Sequence, residues 1–428
     1  MKSAISLLNK RRFLPLFVTQ LLGAFNDNLF KFSMVVLVTY AIYNDPQQEF
    51  QFNALASGIF ILPFFLFSAL AGQLADNYDK AAITRIVKNC EIVLALIGAA
   101  GLLLGSIPIM LFALFLLGMQ STFFGPIKYA ILPQHLEKDE VLGGTGLVEA
   151  GTYIAILAGT ILGGVIINEN GEGAELAAFA IIIVALLGRI NAQFMPAAPP
   201  QQERETIDFN PFTSSWRLIY DTLHIRRLFL AIIAISFFWT IGSMLVIQFP
   251  PLVKNVLTSS PSVASLFLGV FSVGIAIGSV LINRLLRSKV SARFAPASVI
   301  AMGGAVLALY FVAKGWEGLP GGELYDFAAF MNHDGAWALL AVLSLVAVFG
   351  GMFVVPLYAF LTTTVDINRT ARTIAANNVV NSGCMVLGAL AALALSSAGV
   401  GTVSQLLLVA AMCLVAAWLG WLLHKACS

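Results

Sequence analysis

Apolar and polar positions along the 428-residue chain fall into long blocks rather than alternating. Twelve apolar stretches stand out, at 13–43, 54–75, 83–105, 108–132, 143–167, 174–194, 228–253, 262–285, 294–313, 336–362, 373–396 and 400–424. Each is close to or above the roughly 20 residues a helix needs to cross the hydrocarbon core. Strands of a membrane barrel would read as short alternating segments instead. The pattern therefore predicts an all-α integral membrane fold with twelve transmembrane helices. The longest polar connection, 195–227, predicts two six-helix bundles, 1–194 and 228–428. The connection opens on Pro196, Pro199 and Pro200, a linker composition. Its second half places Phe212, Trp216, Ile219 and Leu223 at helical spacing, which predicts a helix lying along the membrane surface.

Composition narrows the class. The chain is 59% hydrophobic and 11% charged, against about 25% charged in an ordinary soluble protein. A water-soluble globule could not cover its surface with so few charges, and disorder needs the opposite balance. No basic block suggests nucleic acid. Loop lysines and arginines are sorted by side. Residues such as Lys10, Arg11, Arg12, Lys80, Arg85, Lys88, Lys138, Arg217, Arg226, Arg284, Arg293, Arg369 and Lys425 fall on the side of the N-terminus; Lys254 and Lys314 fall on the other. By the positive-inside rule both termini are cytoplasmic and the first span is an uncleaved anchor. Cys90, Cys384, Cys413 and Cys427 are dispersed and form no CxxC pair, so neither a disulfide framework, a metal site nor a cofactor is expected. There is no Gly-Lys dipeptide for a phosphate-binding loop, no HExxH and no G-x-S-x-G. His135 is followed five residues later by Glu140, not by the Asp of an acyltransferase motif. An enzyme is not the expected class.

The two halves echo each other. Gly118-Met119 and Pro126-Ile-Lys128-Tyr129-Ala130 in span four parallel Gly351-Met352 and Pro356-Leu-Tyr358-Ala359 in span ten. Glu149-Ala-Gly151 in span five parallels Asn381-Ser-Gly383 in span eleven. Such repeats are common in transporters, where interrupted helices border the substrate. A charge at the bilayer centre costs about 2.5–3.5 kcal/mol on insertion scales, so intramembrane charges are candidate functional groups. Asp27, Lys31, Lys128 and Glu149 are four such candidates. Asp27 and Lys31 are one turn apart and can pair, but flanking Asn26 and Asn28 favour a cavity-lining role. Lys128 and Glu149 can pair with each other or read a zwitterion, with Lys128 on a phosphate and Asp27 or Glu149 on an ammonium. Tyr129, Thr152 and Tyr153 add hydrogen-bonding groups. The second half offers Trp239, Gln248, Tyr358, Asn377, Asn378 and Asn381, which carry no charge. Gly159/Gly163 and Gly274/Gly278 are GxxxG pairs that allow close helix approach.

The loop after span two reads Gly72-Gln-Leu74-Ala-Asp76-Asn77-Tyr-Asp79-Lys80. It resembles the G-x-L-a-D-r-x-G-r-[KR] signature of the major facilitator superfamily, with Asn77 replacing a basic residue and Asp79 a glycine. The resemblance implies a conformational latch of Gly72, Asp76, Lys80 and Arg85, in which Asp76 caps a helix of the other half. It also implies that spans five and eight adjoin across the halves. Gln20-Leu-Leu-Gly23-Ala-Phe25-Asn26-Asp27-Asn28, Phe124-Gly-Pro126-Ile-Lys128-Tyr129 and Gly146-Leu147-Val-Glu149-Ala-Gly151-Thr152 narrow the likeness. Together they resemble the bacterial lysophospholipid transporter family. That family implies a monomeric flippase of the inner membrane. It would carry lysophosphatidylethanolamine and related lipids to the cytoplasmic leaflet for reacylation, beside an acyltransferase or acyl-activating partner. Two other readings stay open: a proton-coupled exporter of drugs or metabolites on the same fold, and an integral-membrane lipid-modifying enzyme.

Overall fold

The structure is a computed structural model that describes residues 4–137, 140–168, 170–200, 206–286, 291–320, 323–363 and 367–427. Twelve long helices form in chain order. They are α1 (Leu14–Val36), α2 (Pro46–Asn77), α3 (Lys80–Leu103), α4 (Ile107–Ala130), α5 (Val141–Ile166), α6 (Ala174–Ala192), α7 (Arg226–Asn255), α8 (Pro261–Leu285), α9 (Ala295–Lys314), α10 (Ala336–Thr363), α11 (Ile367–Ser397) and α12 (Thr402–Cys427). Among the described residues, eleven of them are long and apolar enough to cross a membrane, with α1 extended by a π-helical turn over Leu37–Ile42; α5 adds a shorter apolar stretch, Ile154–Ile166. The all-α membrane architecture read from the apolar blocks is the one observed.

Local chemistry sets the helix ends. Pro15, Pro46, Pro261 and Pro296 sit in first turns, where a missing N–H leaves no intrahelical bond unmade. Asp79 caps α3 by accepting from the Ala81 and Ala82 amides. After α3 and α11 the chain turns back through Gly105 (φ +59°) and Gly399 (φ +82°). There Ser106 N–H bonds to Gly101 O and Val400 N–H to Leu395 O, the six-residue closure that favours glycine.

The helices group into two compact units. One comprises Met1–Val38 and Leu62–Ser215, the other Thr39–Ile61 and Trp216–Ser428. In the first, α1 packs on α5 and α6, and α3 packs on α4 and α6. In the second, α7 packs on α11 and α12, and α9 on α10 and α12. The pairing recurs with an offset of six helices, as the sequence echoes suggested. The second unit includes the ends of α1 and α2 at 39–61. A buried Glu49 holds this segment, accepting from Lys254 Nζ and Asn255 Nδ2, each at 2.5 Å. Lys254 Nζ also donates to the Thr39 and Tyr43 carbonyls, at 2.5 and 3.1 Å. Gln47 Nε2 donates to Ser396 O at 2.9 Å.

The GxxxG glycines serve packing inside each unit. A Cβ on Gly159 would lie 2.4 Å from Phe25 O, so α5 meets α1 backbone to backbone. A Cβ on Gly278 would lie 2.0 Å from Val348 O, so α8 meets α10 in the same way. Each of these contacts lies within a single unit. Backbone cannot move aside as a flexible side chain can. Gly278→Ala is therefore expected to cost at least the ~1–3 kcal/mol of overpacking, seen as a lower thermal unfolding midpoint in detergent. Gly304→Ala on α9, which meets nothing within 4 Å, should leave the midpoint in place.

The start of α5 is tied to the N-terminal segment. Lys10 Nζ donates to Glu140, and Arg12 Nη2 reaches Glu140 Oε2 at 2.6 Å and Glu137 Oε1 at 3.2 Å. The hydrogen bond from Lys10 is the main cause that holds the Glu140 carboxyl below its ordinary value of 4.5. A lowered folded-state pKa adds stability above the unfolded value and loses it as pH falls through the folded one. The stability gap between the native chain and Glu140→Gln should thus be constant at neutral pH. It should shrink as pH drops below 4.5, which denaturant titrations at stepped pH will read.

Candidate functional site

In the first unit, α1, α3 and α4 bring a polar cluster together within apolar helices. Asp27 on α1 is 7% exposed and its Oδ2 accepts from Ser121 Oγ on α4. Lys88 and Glu91 on α3 are both wholly buried and form an ion pair one turn apart. Gln120 Nε2 donates to Glu91 Oε2 at 3.1 Å and Asn26 Nδ2 to Glu91 Oε1 at 3.4 Å. The Lys88 ammonium also lies over the Phe124 ring, 5.6 Å from its centroid. Gly23 makes room for it, since a Cβ there would lie 2.6 Å from Lys88 Nζ. Lys88 and Glu91 thereby cancel each other's charge and share most of their hydrogen-bonding needs with neighbours.

Asp27 is left with an opening. Its Oδ1 is buried and has no hydrogen-bond partner, and neither does the Oδ1 of Asn26. Buried acceptors without donors are rare because each forfeits its hydration. An N–H or ammonium donor is the complement such a pair of oxygens lacks. Lys31, one turn along α1, is half-buried. Lys128, in the last turn of α4, is half-buried too and lies two turns from Ser121 on one helical face.

Other residues expected at the site are placed differently. Asn28 donates back to Ala24 O at 2.8 Å and its Cβ abuts the Gly159 contact with α5. Its neighbour Asn26 is the one that joins the cluster. Thr152 Oγ1 donates to Gln20 Oε1 at 2.7 Å, joining α5 to α1. The side chains of Tyr129, Glu149 and Tyr153 lie outside the described residues. In the second unit the hydroxyl of Tyr358 accepts from Trp239 Nε1 at 2.8 Å and from Asn381 Nδ2 at 3.4 Å. Ser236 Oγ donates to Asn381 Oδ1 at 2.6 Å. Trp239 and Asn381 are thus brought together on α7 and α11, and the cluster they form carries no charge. Asn377, one turn from Asn381, is buried with both amide atoms unpartnered.

Sequence reasoning missed Lys88 and Glu91. Lys88 had been counted with the loop cations; it is fully buried inside α3. The available signal was the i, i+3 spacing of opposite charges in an apolar run. Within the first unit the residues of the loop motif are placed as follows. Asp76 is exposed and Gly72 meets nothing within 4 Å. The capping acid at α3 is Asp79, whose Oδ1 also accepts from Ala198 N at 3.0 Å. Lys80 N–H donates to Ala198 O at 3.0 Å, and Arg85 Nη2 to Met195 O at 2.8 Å. The Lys80 backbone amide and the Arg85 guanidinium therefore hold residues 195–198 against α3.

Helix pairing, the six-helix repeat and the loop motif converge, and a sequence profile of the Major Facilitator Superfamily matches residues 16–323. The chain belongs to that superfamily. Solved superfamily structures share the fold. A D-xylose–proton symporter superposes with a TM-score of 0.68 at 14% identity, covering 96% of this chain and 97% of its own. A bacterial homologue of the human lysosomal transporter Spinster, inward-facing and unoccupied, superposes with a TM-score of 0.65 at 14% identity, covering 97% of each chain. Among sequence relatives, the lysophospholipid transporter LplT of Enterobacter sp. (strain 638) is 27% identical over 370 residues, 84% of this chain and 81% of its own. The lysophospholipid transporter LplT of Salmonella newport (strain SL254) is 28% identical over 357 residues, 81% and 78% of the two chains. As a superfamily member this chain is a multi-pass membrane protein of a transporter family.

Proposed function

We propose that the protein moves lysophospholipids such as lysophosphatidylethanolamine across the bacterial inner membrane toward the cytoplasmic leaflet for reacylation. The observation that carries this reading is the buried Asp27 Oδ1 without a hydrogen-bond partner, beside a Lys88–Glu91 pair that cancels its own charge. The names of the sequence relatives supply the substrate class. In this reading Asp27 receives the head-group ammonium and Lys128 the phosphate. Seven residues along α4 separate Ser121 from Lys128, about 10 Å of rise. Helical side chains lean toward the N-terminus, so Lys128 leans toward Ser121 and shortens that span. A head group with its cation and anion a few ångströms apart suits such a pair. Both termini lie in the cytoplasm, with the basic loops. The returned lysolipid would be consumed there by a separate acyltransferase or acyl-activating enzyme.

Purified protein in detergent tests the binding step. Lysophosphatidylethanolamine should raise the unfolding temperature in a dose-dependent way, as any ligand bound by the native state must. Diacyl phosphatidylethanolamine should not match it. A chain stabilised by neither lipid would count against the reading.

A further inference from the structure

The helix Pro211–Leu223 precedes α7 and plays no part in the site above. Asn210 Oδ1 accepts from Phe212 N–H at 3.0 Å, and Asp208 N–H is held by Gln73 Oε1 at 2.8 Å. Its polar side is turned inward: Ser214 and Ser215 are 7% and 6% exposed. Its aromatic side is turned outward. Phe209, Phe212, Trp216 and Tyr220 are 69%, 65%, 70% and 56% exposed. Phe212, Trp216 and Tyr220 are four residues apart, so their rings run as one stripe along the helix, and Phe209 stands just ahead of its first turn. This inverts the order of a helix docked on a protein core, where large rings go in and serines come out.

We infer that this helix is a membrane-surface foot whose occupant is the lipid head-group layer on the side of the basic loops. Three observations name that occupant. Span α7 begins at Arg226, three residues after the helix ends, so the helix is tethered at the membrane boundary. Tryptophan, tyrosine and phenylalanine rings at such a boundary settle among head groups and upper acyl chains. Arg217, Arg226 and Arg227 are exposed, and none is in an ion pair with the described residues. They supply the charge that anionic phosphates complement. Of the stripe read in the sequence, Phe212 and Trp216 are exposed and Ile219 is half-buried, Tyr220 is exposed in addition, and the Leu223 side chain lies outside the described residues. Stripe and arginines together select a leaflet that contains anionic lipid.

The test uses the full chain in liposomes of phosphatidylcholine with increasing phosphatidylglycerol, in which part of the lipid carries bromine on its upper acyl carbons. The signal of Trp216 is the difference between the native chain and Trp216→Phe. Bromolipid should quench roughly half of that difference signal or more, and aqueous iodide should barely reach it. Quenching should rise with the phosphatidylglycerol fraction. In Arg217→Gln/Arg226→Gln/Arg227→Gln that rise should flatten while the basal quenching remains. A difference signal quenched by iodide and not by bromolipid would overturn the inference. Bromolipid quenching indifferent to phosphatidylglycerol would overturn the selection for anionic lipid. Should Trp216→Phe fold poorly, a bimane label on Phe212→Cys, in a chain whose native cysteines are replaced by serine or alanine, read with the same quenchers, decides the same question.

Discussion

Glu91→Leu is expected to destabilise the protein more than any other single replacement considered, by about 3–5 kcal/mol. The change leaves the Lys88 ammonium wholly buried with its counter-ion gone. No water reaches it, and the Phe124 ring is too weak a partner to replace a carboxylate. Gln120 and Asn26 would lose their acceptor as well. The double replacement Lys88→Met/Glu91→Leu removes both charges while keeping volume close. Replacing a buried pair by apolar groups is often neutral or better. Thermal unfolding in detergent should therefore show a large loss in the single variant and substantial recovery in the double. Equal losses in both would mean that the pair is held for another reason.

Asp27→Asn should fold and yet lose transport of ammonium-bearing lysolipid. The amide is nearly isosteric and its oxygen can still accept from Ser121. What disappears is the charge on a buried oxygen with no partner. Hydrogen bonds to charged groups contribute about 1.5–3 kcal/mol, which corresponds to a roughly ten- to hundredfold fall in the initial rate of lysophosphatidylethanolamine movement. Lysophosphatidylglycerol, which has no ammonium, should suffer far less. A matching loss for both lipids would assign Asp27 to the general architecture rather than to head-group recognition.

The fold was legible because membrane helices write themselves as long apolar runs, and the residue spacing needs no tertiary information. Asp27 was legible for a related reason: a carboxylate flanked by two asparagines cannot face lipid. Which asparagine faces the cluster was not legible. That depends on how α1 is rotated against α5, and Gly159 fixes the rotation through a contact with Phe25 that no local pattern announces. Lys88 stood near the basic end of α3 and so read as a loop cation. Its burial depends on Gly23, nearly seventy residues away, leaving a slot for the ammonium. Asp76 and Asp79 are alike in a motif and differ in space, because the backbone at Asp79 is extended and ready to cap α3.

Flipping of labelled lysophosphatidylethanolamine in liposomes that contain the purified chain tests the central claim most directly. Label added outside should become protected when protein is present, stay accessible in protein-free liposomes, and become protected more slowly with Asp27→Asn. Diacyl phosphatidylethanolamine should remain outside. Folded protein that moves no lysolipid, with or without an imposed proton gradient, would contradict the account.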